Sequence, residues 1–188
     1  MRVLIVDDES LIRMDLRDII ESCGHEVVAE GTNGVEAIQL CKQHKPDIIL
    51  MDVKMPELDG IEAARQIGFH HEAPVVLLTS YSQQDLIDKA RDSGVYGYLI
   101  KPVREEQLVP TLEMALGRYK SDAQLREKMA ELEQSLEDRK IIQKGTGLLM
   151  ELYSISEEEA YNRIRALSMK KRDSIVNICK ALINQVLK

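Results

Sequence analysis

Five polar residues follow short apolar segments of the sequence, and together their side chains could bind a metal ion. They are Asp7, Asp8, Asp52, Thr79 and Lys101. If the three carboxylates lie close together they repel one another strongly, and a divalent cation among them would relieve that repulsion. Mg²⁺ favours a few carboxylates together with water and phosphate oxygens. The cluster therefore predicts a magnesium site.

The same cluster could also carry out phosphoryl transfer. An aspartate placed between a metal ion, a hydroxyl and an ammonium group is a plausible phosphoryl acceptor. The metal and Lys101 would neutralise the transferring oxygen atoms, and Thr79 would hydrogen-bond to one of them.

The elements that must position these residues alternate between strands and helices. Five apolar segments read as strands: RVLIVD, EVVAE, DIILMD, PVVLLTS and YGYLI. The helices between them are predicted to begin near Ser10, Gly34, Asp59, Ser82 and Arg104. Because parallel strands need crossover connections, we expect an α/β fold, a five-stranded doubly wound parallel sheet covered on both faces. Ligands bind such sheets at the carboxyl ends of the strands, where the five polar residues lie.

Over about residues 1 to 120 the sequence resembles the flavodoxin-like receiver domain of two-component response regulators. The motifs that carry the resemblance are VDDES, MDVKMPELDG, LLTS and YLIKP, in that order. It implies that Asp52 is the phosphoacceptor and that a sensor histidine kinase is the donor. It further implies Asp8 as the principal Mg²⁺ ligand, supported by Asp7 and by the Lys54 backbone carbonyl.

Two conformational features are also implied by the receiver resemblance. One is a cis peptide bond before Pro102. The other is a switch pair, Thr79 and Tyr98, whose side chains move when the phosphoryl group arrives.

The helix that begins near Arg104 is predicted to continue far beyond the receiver domain. We expect a receiver domain at 1–117, a connecting helix at 118–138 and an output domain at 139–188. Four apolar side chains of the connecting helix recur at coiled-coil spacing and predict a parallel dimer: Leu125, Met129, Leu132 and Leu136. The alternative is that this helix packs on its own domain.

The segment KGTGLLMELYSISEEEAY, residues 144–161, raises the question of a phosphate-binding glycine loop. Such a loop follows a strand, whereas the residues before these glycines continue a helical pattern. We therefore expect close-packing glycines in a helix, followed by a helix capped by Ser156 and Glu159. A third helix beginning near Asp173 would complete a small all-α core. Tyr161 has the spacing of a core residue.

From about residue 135 to 187 the sequence resembles the ANTAR domain, a three-helix RNA-binding module of transcription antiterminators. The matching text is GTGLLM, SEEEAY, IRALSM and IVNIC. One departure is Thr146, where the family usually has lysine, and another is Gly145, where it has alanine. In overall layout the chain resembles the ethanolamine-utilisation antiterminators.

Basic residues of the output segment could bind RNA phosphates, and its tyrosines could stack on unpaired bases. Residues 118–188 contain 14 basic and 11 acidic residues, against 11 and 21 in residues 1–117. The predicted RNA-binding residues are Arg139, Lys140, Lys144, Thr146, Arg163, Arg165, Lys170, Lys171 and Arg172.

Composition limits the other possibilities. Cys23, Cys41 and Cys179 lack the spacing of a metal or disulfide motif and read as core residues. No apolar run approaches the roughly 20 residues of a membrane span, and the first residues lack the features of a signal peptide, which predicts a cytoplasmic protein without membrane contact. The output segment has no histidine and no evident nucleophile–base pair, so we expect no enzymatic output.

These observations favour a phosphorylation-controlled homodimer that binds paired stem-loops in nascent RNA and prevents a terminator hairpin. Two alternatives remain open. A DNA-binding response regulator would need a basic recognition helix, whereas the last helix is mostly apolar. An output domain that docks on a protein partner is compatible with the overall charge of -7.

Overall fold

The computed structural model describes residues 1–70, 72–80 and 94–186. The chain divides into two compact units, Met1–Ala123 and Gln124–Lys188. The helix predicted to begin near Ser82 lies outside the described residues.

The first unit contains a parallel sheet. Its strands are β1 (Arg2–Val6), β2 (Glu26–Gly31), β3 (Ile48–Asp52), β4 (Val75–Thr79) and β5 (Val95–Ile100). Their order in the sheet is β2-β1-β3-β4-β5, and every neighbouring pair is parallel. The helices are α1 (Ser10–Ser22), α2 (Gly34–His44), α3 (Gly60–Phe69) and the long α4 (Glu105–Tyr153).

Alternate residues of the strands enter two separate cores, one on each face of the sheet. In β1, Leu4 and Val6 pack with residues of α2 and α3, whereas Val3 and Ile5 pack with residues of α1 and α4. This alternation follows from the two-residue period of a strand. Burial on both faces explains why the interiors of β1, β3 and β4 are uninterrupted apolar runs. The predicted doubly wound α/β fold is confirmed.

Local contacts mark the start of α3 and the first turns of α4. The carboxylate of Asp59 accepts a hydrogen bond from the Glu62 amide at the start of α3. The long helix α4 contains Pro110, which lacks the N–H that would otherwise bond one turn back. The hydroxyl of Thr111 donates to the carbonyl of Gln107 in the same turn.

The second unit contains α5 (Glu157–Lys171) and α6 (Ile175–Val186) together with the last turns of α4. Ser156 caps α5 by accepting from the Glu159 amide at 3.3 Å, as predicted, whereas the Glu159 carboxylate accepts from Arg163. The core of this unit is small, and its buried side chains are Leu149, Ala160, Ile164, Ile178 and Cys179.

The two glycines of the segment 144–161, Gly145 and Gly147, have different roles. A Cβ atom added to Gly145 would lie 2.7 Å from the Cβ atom of Cys179, so this glycine lets α6 approach α4 closely. Gly147 has no neighbouring atom within 4 Å of such a Cβ. The prediction of close packing is confirmed for Gly145 and is wrong for Gly147.

Candidate functional site

The side chains of Asp7, Asp52 and Lys101 meet at the carboxyl edge of the sheet. The Lys101 Nζ atom lies 2.7 Å from Asp7 Oδ2 and 2.5 Å from Asp52 Oδ1. The side chain of Asp7 is fully buried, and those of Asp52 and Lys101 are 10% and 20% exposed. One partly buried ammonium group therefore contacts two buried carboxylates.

Strand order explains this meeting of residues that are far apart in sequence. Asp7 follows β1 and Asp52 ends β3, which is its neighbour in the sheet. Lys101 follows β5 and is anchored beside β4, because its backbone N–H donates to the Thr79 carbonyl at 2.8 Å. Its long side chain then reaches across to β3. The peptide bond between Lys101 and Pro102 is cis, as predicted.

Backbone N–H groups hold the remaining carboxylate oxygens. Asp7 Oδ1 accepts from the Glu9 amide at 3.0 Å, and Asp52 Oδ2 accepts from the Lys54 amide at 2.8 Å. Burial raises the pKa of the Asp52 carboxyl, while Lys101 opposes this rise. Burial lowers the pKa of Lys101, but hydrogen bonds to Asp52 and Asp7 outweigh it and raise that pKa above its ordinary value. Lys101 therefore stays charged between its two partners.

Gly60 is required by the backbone at this site. A Cβ atom at this position would collide with the carbonyl oxygen of Asp52. The Gly60 amide donates to the Val53 carbonyl at 2.9 Å, which holds the start of α3 against the end of β3. The glycine thus sets the path of the chain directly after Asp52.

The other predicted receiver residues surround this cluster in different environments. Asp8 is exposed, as is the side chain of Lys54. Thr79 is buried, and its hydroxyl donates to the Ser80 carbonyl at 3.1 Å. Tyr98 is 44% exposed.

The oxygen donors at this edge suit Mg²⁺ chemically, since it prefers carboxylates, carbonyls and water. In the described ranges, no group of three His, Cys, Asp or Glu side chains is already arranged around a common point for a metal ion. The geometry nevertheless accommodates a shared cation, because one ammonium nitrogen contacts both Asp7 and Asp52. The donor types present, two carboxylates that share one cation, are therefore compatible with Mg²⁺.

The predicted RNA-binding residues of the second unit divide into exposed and buried ones. All eight basic residues have exposed side chains: Arg139, Lys140, Lys144, Arg163, Arg165, Lys170, Lys171 and Arg172. Arg163 lies over the Tyr153 ring, 5.5 Å from its centroid, and pairs with Glu159 at 2.7 Å. Lys140 pairs with Glu137 at 3.5 Å.

Thr146 requires a correction. It is only 4% exposed, and its hydroxyl donates to the Ile142 carbonyl at 2.8 Å. Because α4 packs this side of its last turns inside the small core, the Thr146 side chain is removed from the predicted RNA surface. Tyr161 is the opposite case, since it is 40% exposed and the prediction of a core position is wrong.

Comparisons with known proteins identify two different families, one in each part of the chain. Residues 3–113 match the model of the response regulator receiver domain, and residues 130–183 match that of the ANTAR domain. The transcriptional regulatory protein PdtaR of Mycobacterium tuberculosis is 40% identical over 97% of this chain and 89% of its own length. The chain belongs to the response regulator family, with an ANTAR output domain.

The receiver domain alone resembles many proteins of this family. The chemotaxis protein CheY of Thermotoga maritima is 40% identical over 59% of this chain and 93% of its own length. The CheX–CheY complex of Borrelia burgdorferi aligns with a TM-score of 0.56 and 26% identity, over 60% of this chain and 86% of that one. Each of these likenesses covers about three fifths of this chain.

The predicted dimer residues of this response regulator form an exposed apolar row on α4. Their exposed fractions are 58% for Leu125, 53% for Met129, 65% for Leu132 and 58% for Leu136. This exposure argues against the alternative in which they pack within their own chain.

In the part of the chain that the structure describes, no helix is long and apolar enough to span a membrane.

Sequence reasoning missed the contacts of Arg13 with this site. Its Nη1 atom donates to the Asp7 carbonyl oxygen at 2.7 Å. The sequence does contain a pattern that could have indicated these contacts. Arg13 and Arg17 are four residues apart, which puts two guanidinium groups on one face of α1, where both pair with Glu30 of β2.

Proposed function

We propose that this response regulator is a phosphorylation-activated transcription antiterminator that binds structured RNA as a dimer. The observation that carries the proposal is the buried contact of Lys101 with Asp7 and Asp52 in a chain that also contains an ANTAR domain. A sensor histidine kinase is the phosphoryl donor.

Asp52 is the proposed phosphoacceptor. One of its carboxylate oxygens attacks the phosphorus atom of the donor, and the bond from phosphorus to the donor nitrogen breaks. Lys101 is placed to contact an oxygen of the transferred group, because its Nζ atom already contacts Asp52. Rotation of the Thr79 hydroxyl away from the Ser80 carbonyl would let it donate to a second oxygen.

A magnesium ion would be held by Asp7, Asp8 and Asp52 together with the Lys54 backbone carbonyl. When bound, it supplies positive charge that neutralises the transferring oxygens. The similar Borrelia burgdorferi complex contains BeF₃ and Mg²⁺, which supports this assignment. The role of the protein side chains is to hold the carboxylate oxygens together and to exclude bulk water from Asp7 and Asp52.

Phosphorylation would act on the rest of the molecule through Thr79 and Tyr98. The ring of Tyr98, which is 44% exposed, would turn inward when the Thr79 hydroxyl moves toward the phosphoryl group. The resulting change of surface would favour pairing of two receiver domains and of the row from Leu125 to Leu136. Two weak RNA contacts then act as one stronger contact, because the second binding step becomes intramolecular.

The proposed RNA surface consists of the eight exposed basic residues of the second unit, without Thr146. Tyr153, which is 60% exposed, adds an aromatic face on which an unpaired base could stack. Paired stem-loops in nascent RNA are the proposed target. The resemblance to the ethanolamine-utilisation antiterminators remains a prediction.

Filter binding of the protein, treated with a phosphate mimic and Mg²⁺, tests the proposal. Tandem stem-loop RNA is compared with duplex DNA of equal length and charge, and Asp52→Asn is the control for phosphorylation. We expect RNA binding that depends on Asp52 and on two stem-loops. Preference for DNA would indicate a DNA-binding output domain, and binding of neither would favour an output domain that docks on a protein. Equal dimerisation of wild type and Asp52→Asn would exclude control by phosphorylation.

A further inference from the structure

Arg13 of helix α1 connects two parts of the receiver domain through one side chain. Its Nη1 atom donates to the backbone carbonyl of Asp7 at 2.7 Å, and its Nε atom donates to Glu30 Oε2 at 3.1 Å. The Arg13 side chain is 16% exposed, so both hydrogen bonds are largely shielded from water. The planar guanidinium group holds its donors in a fixed relation to one another.

The contact with Asp7 completes the hydrogen bonding of that residue. The Asp7 amide donates to the Gly31 carbonyl at 3.1 Å. Its two carboxylate oxygens accept from the Glu9 amide and from Lys101. The backbone carbonyl is the remaining acceptor, and Arg13 occupies it.

The peptide bond that begins with this carbonyl leads directly to Asp8. Because a peptide unit is planar, fixing the Asp7 carbonyl also fixes the direction of the Asp8 amide and limits the position of the Asp8 Cα atom. Asp8 itself is exposed. The bond from Arg13 is thus a constraint on where the Asp8 carboxylate can lie relative to Asp7.

Glu30 holds Arg13 in place, and a second arginine provides a comparison. Glu30 Oε1 accepts from Arg17 Nε at 2.7 Å and Nη2 at 2.5 Å, while Oε2 accepts from Arg13. Arg17 lies one helical turn after Arg13 and shares its partner. The hydrogen bonds of Arg17 go to Glu30 and Glu21, whereas Arg13 also bonds to the Asp7 carbonyl.

We infer that Arg13, held by Glu30, is a positioning residue for the magnesium and phosphorylation site, because its guanidinium group fixes the peptide that joins Asp7 to Asp8. The inference rests on the proposed function, in which both aspartates bind Mg²⁺. Residues that orient metal ligands from outside the coordination sphere typically contribute about 10- to 100-fold to metal affinity.

The test compares Arg13→Gln with Arg17→Gln in the full chain. Each variant removes one guanidinium group from Glu30, but only Arg13→Gln removes the bond to the Asp7 carbonyl. Calorimetric titration with Mg²⁺ alone should show a Kd about 10-fold higher in Arg13→Gln and a change of less than about 2-fold in Arg17→Gln. Phosphorylation by acetyl phosphate should need correspondingly more Mg²⁺ in Arg13→Gln, with the maximal rate recovered at saturation.

A measurement without metal separates positioning from general stability. Hydrogen exchange at the Asp8 and Glu9 amides in EDTA should be faster in Arg13→Gln than in Arg17→Gln, while the thermal midpoints of the two variants stay similar. If Arg13→Gln does not fold, Glu30→Gln serves instead, because it releases Arg13 and leaves both arginines present. Its Mg²⁺ Kd should then exceed that of Arg17→Gln.

The outcomes distinguish this inference from the proposed function. Absence of Mg²⁺ binding by the wild-type protein overturns the proposed function and the inference with it. Equal Kd values for wild type and Arg13→Gln overturn the inference alone. Equal weakening by Arg13→Gln and Arg17→Gln also overturns it, because the bond to the Asp7 carbonyl would then have no effect of its own.

Discussion

The Lys101 ammonium group lies 2.5 Å from Asp52 Oδ1 and also contacts Asp7, so one cation is shared by two buried carboxylates. Removing one partner from a buried ion pair is strongly destabilising, because the remaining charge is left buried without compensation. The partial exposure of Lys101 reduces that effect. We therefore expect stability to depend on the same lysine that is proposed to assist phosphoryl transfer.

Lys101→Gln should lower the free energy of unfolding in EDTA at pH 7 by roughly 2–3 kcal/mol. Lys54→Gln, with the same charge change at an exposed side chain, should change it by less than about 0.5 kcal/mol. Urea denaturation measures both values.

The loss of unfolding free energy in Lys101→Gln should also depend on pH. Burial raises the pKa of Asp52, and without Lys101 nothing from that side chain opposes the rise. An acid whose pKa is raised in the folded state destabilises that state as pH increases through the unfolded value. The difference in unfolding free energy between Lys101→Gln and wild type should therefore shrink toward pH 4. A difference that grows on acidification would contradict this prediction.

Gly145 and Gly147 provide a matched pair in the last turns of α4. Gly145→Ala places a Cβ atom 2.7 Å from that of Cys179 and should lower the thermal midpoint of the second unit. Gly147→Ala meets no atom within 4 Å and should stabilise the helix by up to about 1 kcal/mol. Thermal unfolding monitored by circular dichroism would reveal the opposite signs. Equal effects of the two variants would mean that the contact with Cys179 does not limit packing.

The elements of this protein could be predicted from sequence more fully than the contacts between them. Apolar runs marked all five strands to within about one residue. The runs are clearest in β1, β3 and β4, because burial on both faces leaves no polar position in their interiors. The orientation of the Thr146 side chain could not be predicted, since it depends on which face of α4 packs against α6. Likewise, only the strand order brings Lys101 across β4 to Asp52.

Thr146→Lys tests the burial of the position where the related domains usually have lysine. An ammonium group in place of a side chain that is 4% exposed must be desolvated or must force α4 away from the core. We expect a loss on the order of 2 kcal/mol in unfolding free energy, accompanied by weaker RNA binding. Gln143→Lys adds the same charge at an exposed position nearby. It should preserve both the unfolding free energy and the RNA affinity of the wild type. Wild-type stability with tighter RNA binding in Thr146→Lys would contradict this prediction.

The three cysteines should differ in reactivity. Cys41 and Cys179 are buried, whereas Cys23 is partly exposed, and burial, together with the nearby Glu72, raises the pKa of Cys41 to about 12. Because the thiolate is the reactive form, iodoacetamide at pH 8 should modify Cys23 first. Mass spectrometry of the folded protein should find Cys41 unmodified until denaturant is added. Early modification of Cys41 would show that α2 opens readily.

The exposed row on α4 should be required for dimerisation and not for folding. Leu132→Glu places a charge in the centre of the row, where two copies would bring like charges together in an apolar seam. Leu152→Glu is a matched control, because Leu152 is also on α4 and is 58% exposed but lies outside the row. Sedimentation with a phosphate mimic and Mg²⁺ should show monomeric Leu132→Glu and dimeric Leu152→Glu, both with wild-type thermal midpoints. RNA with two stem-loops should lose affinity for Leu132→Glu while a single stem-loop binds unchanged, since only the avidity between two output domains is lost.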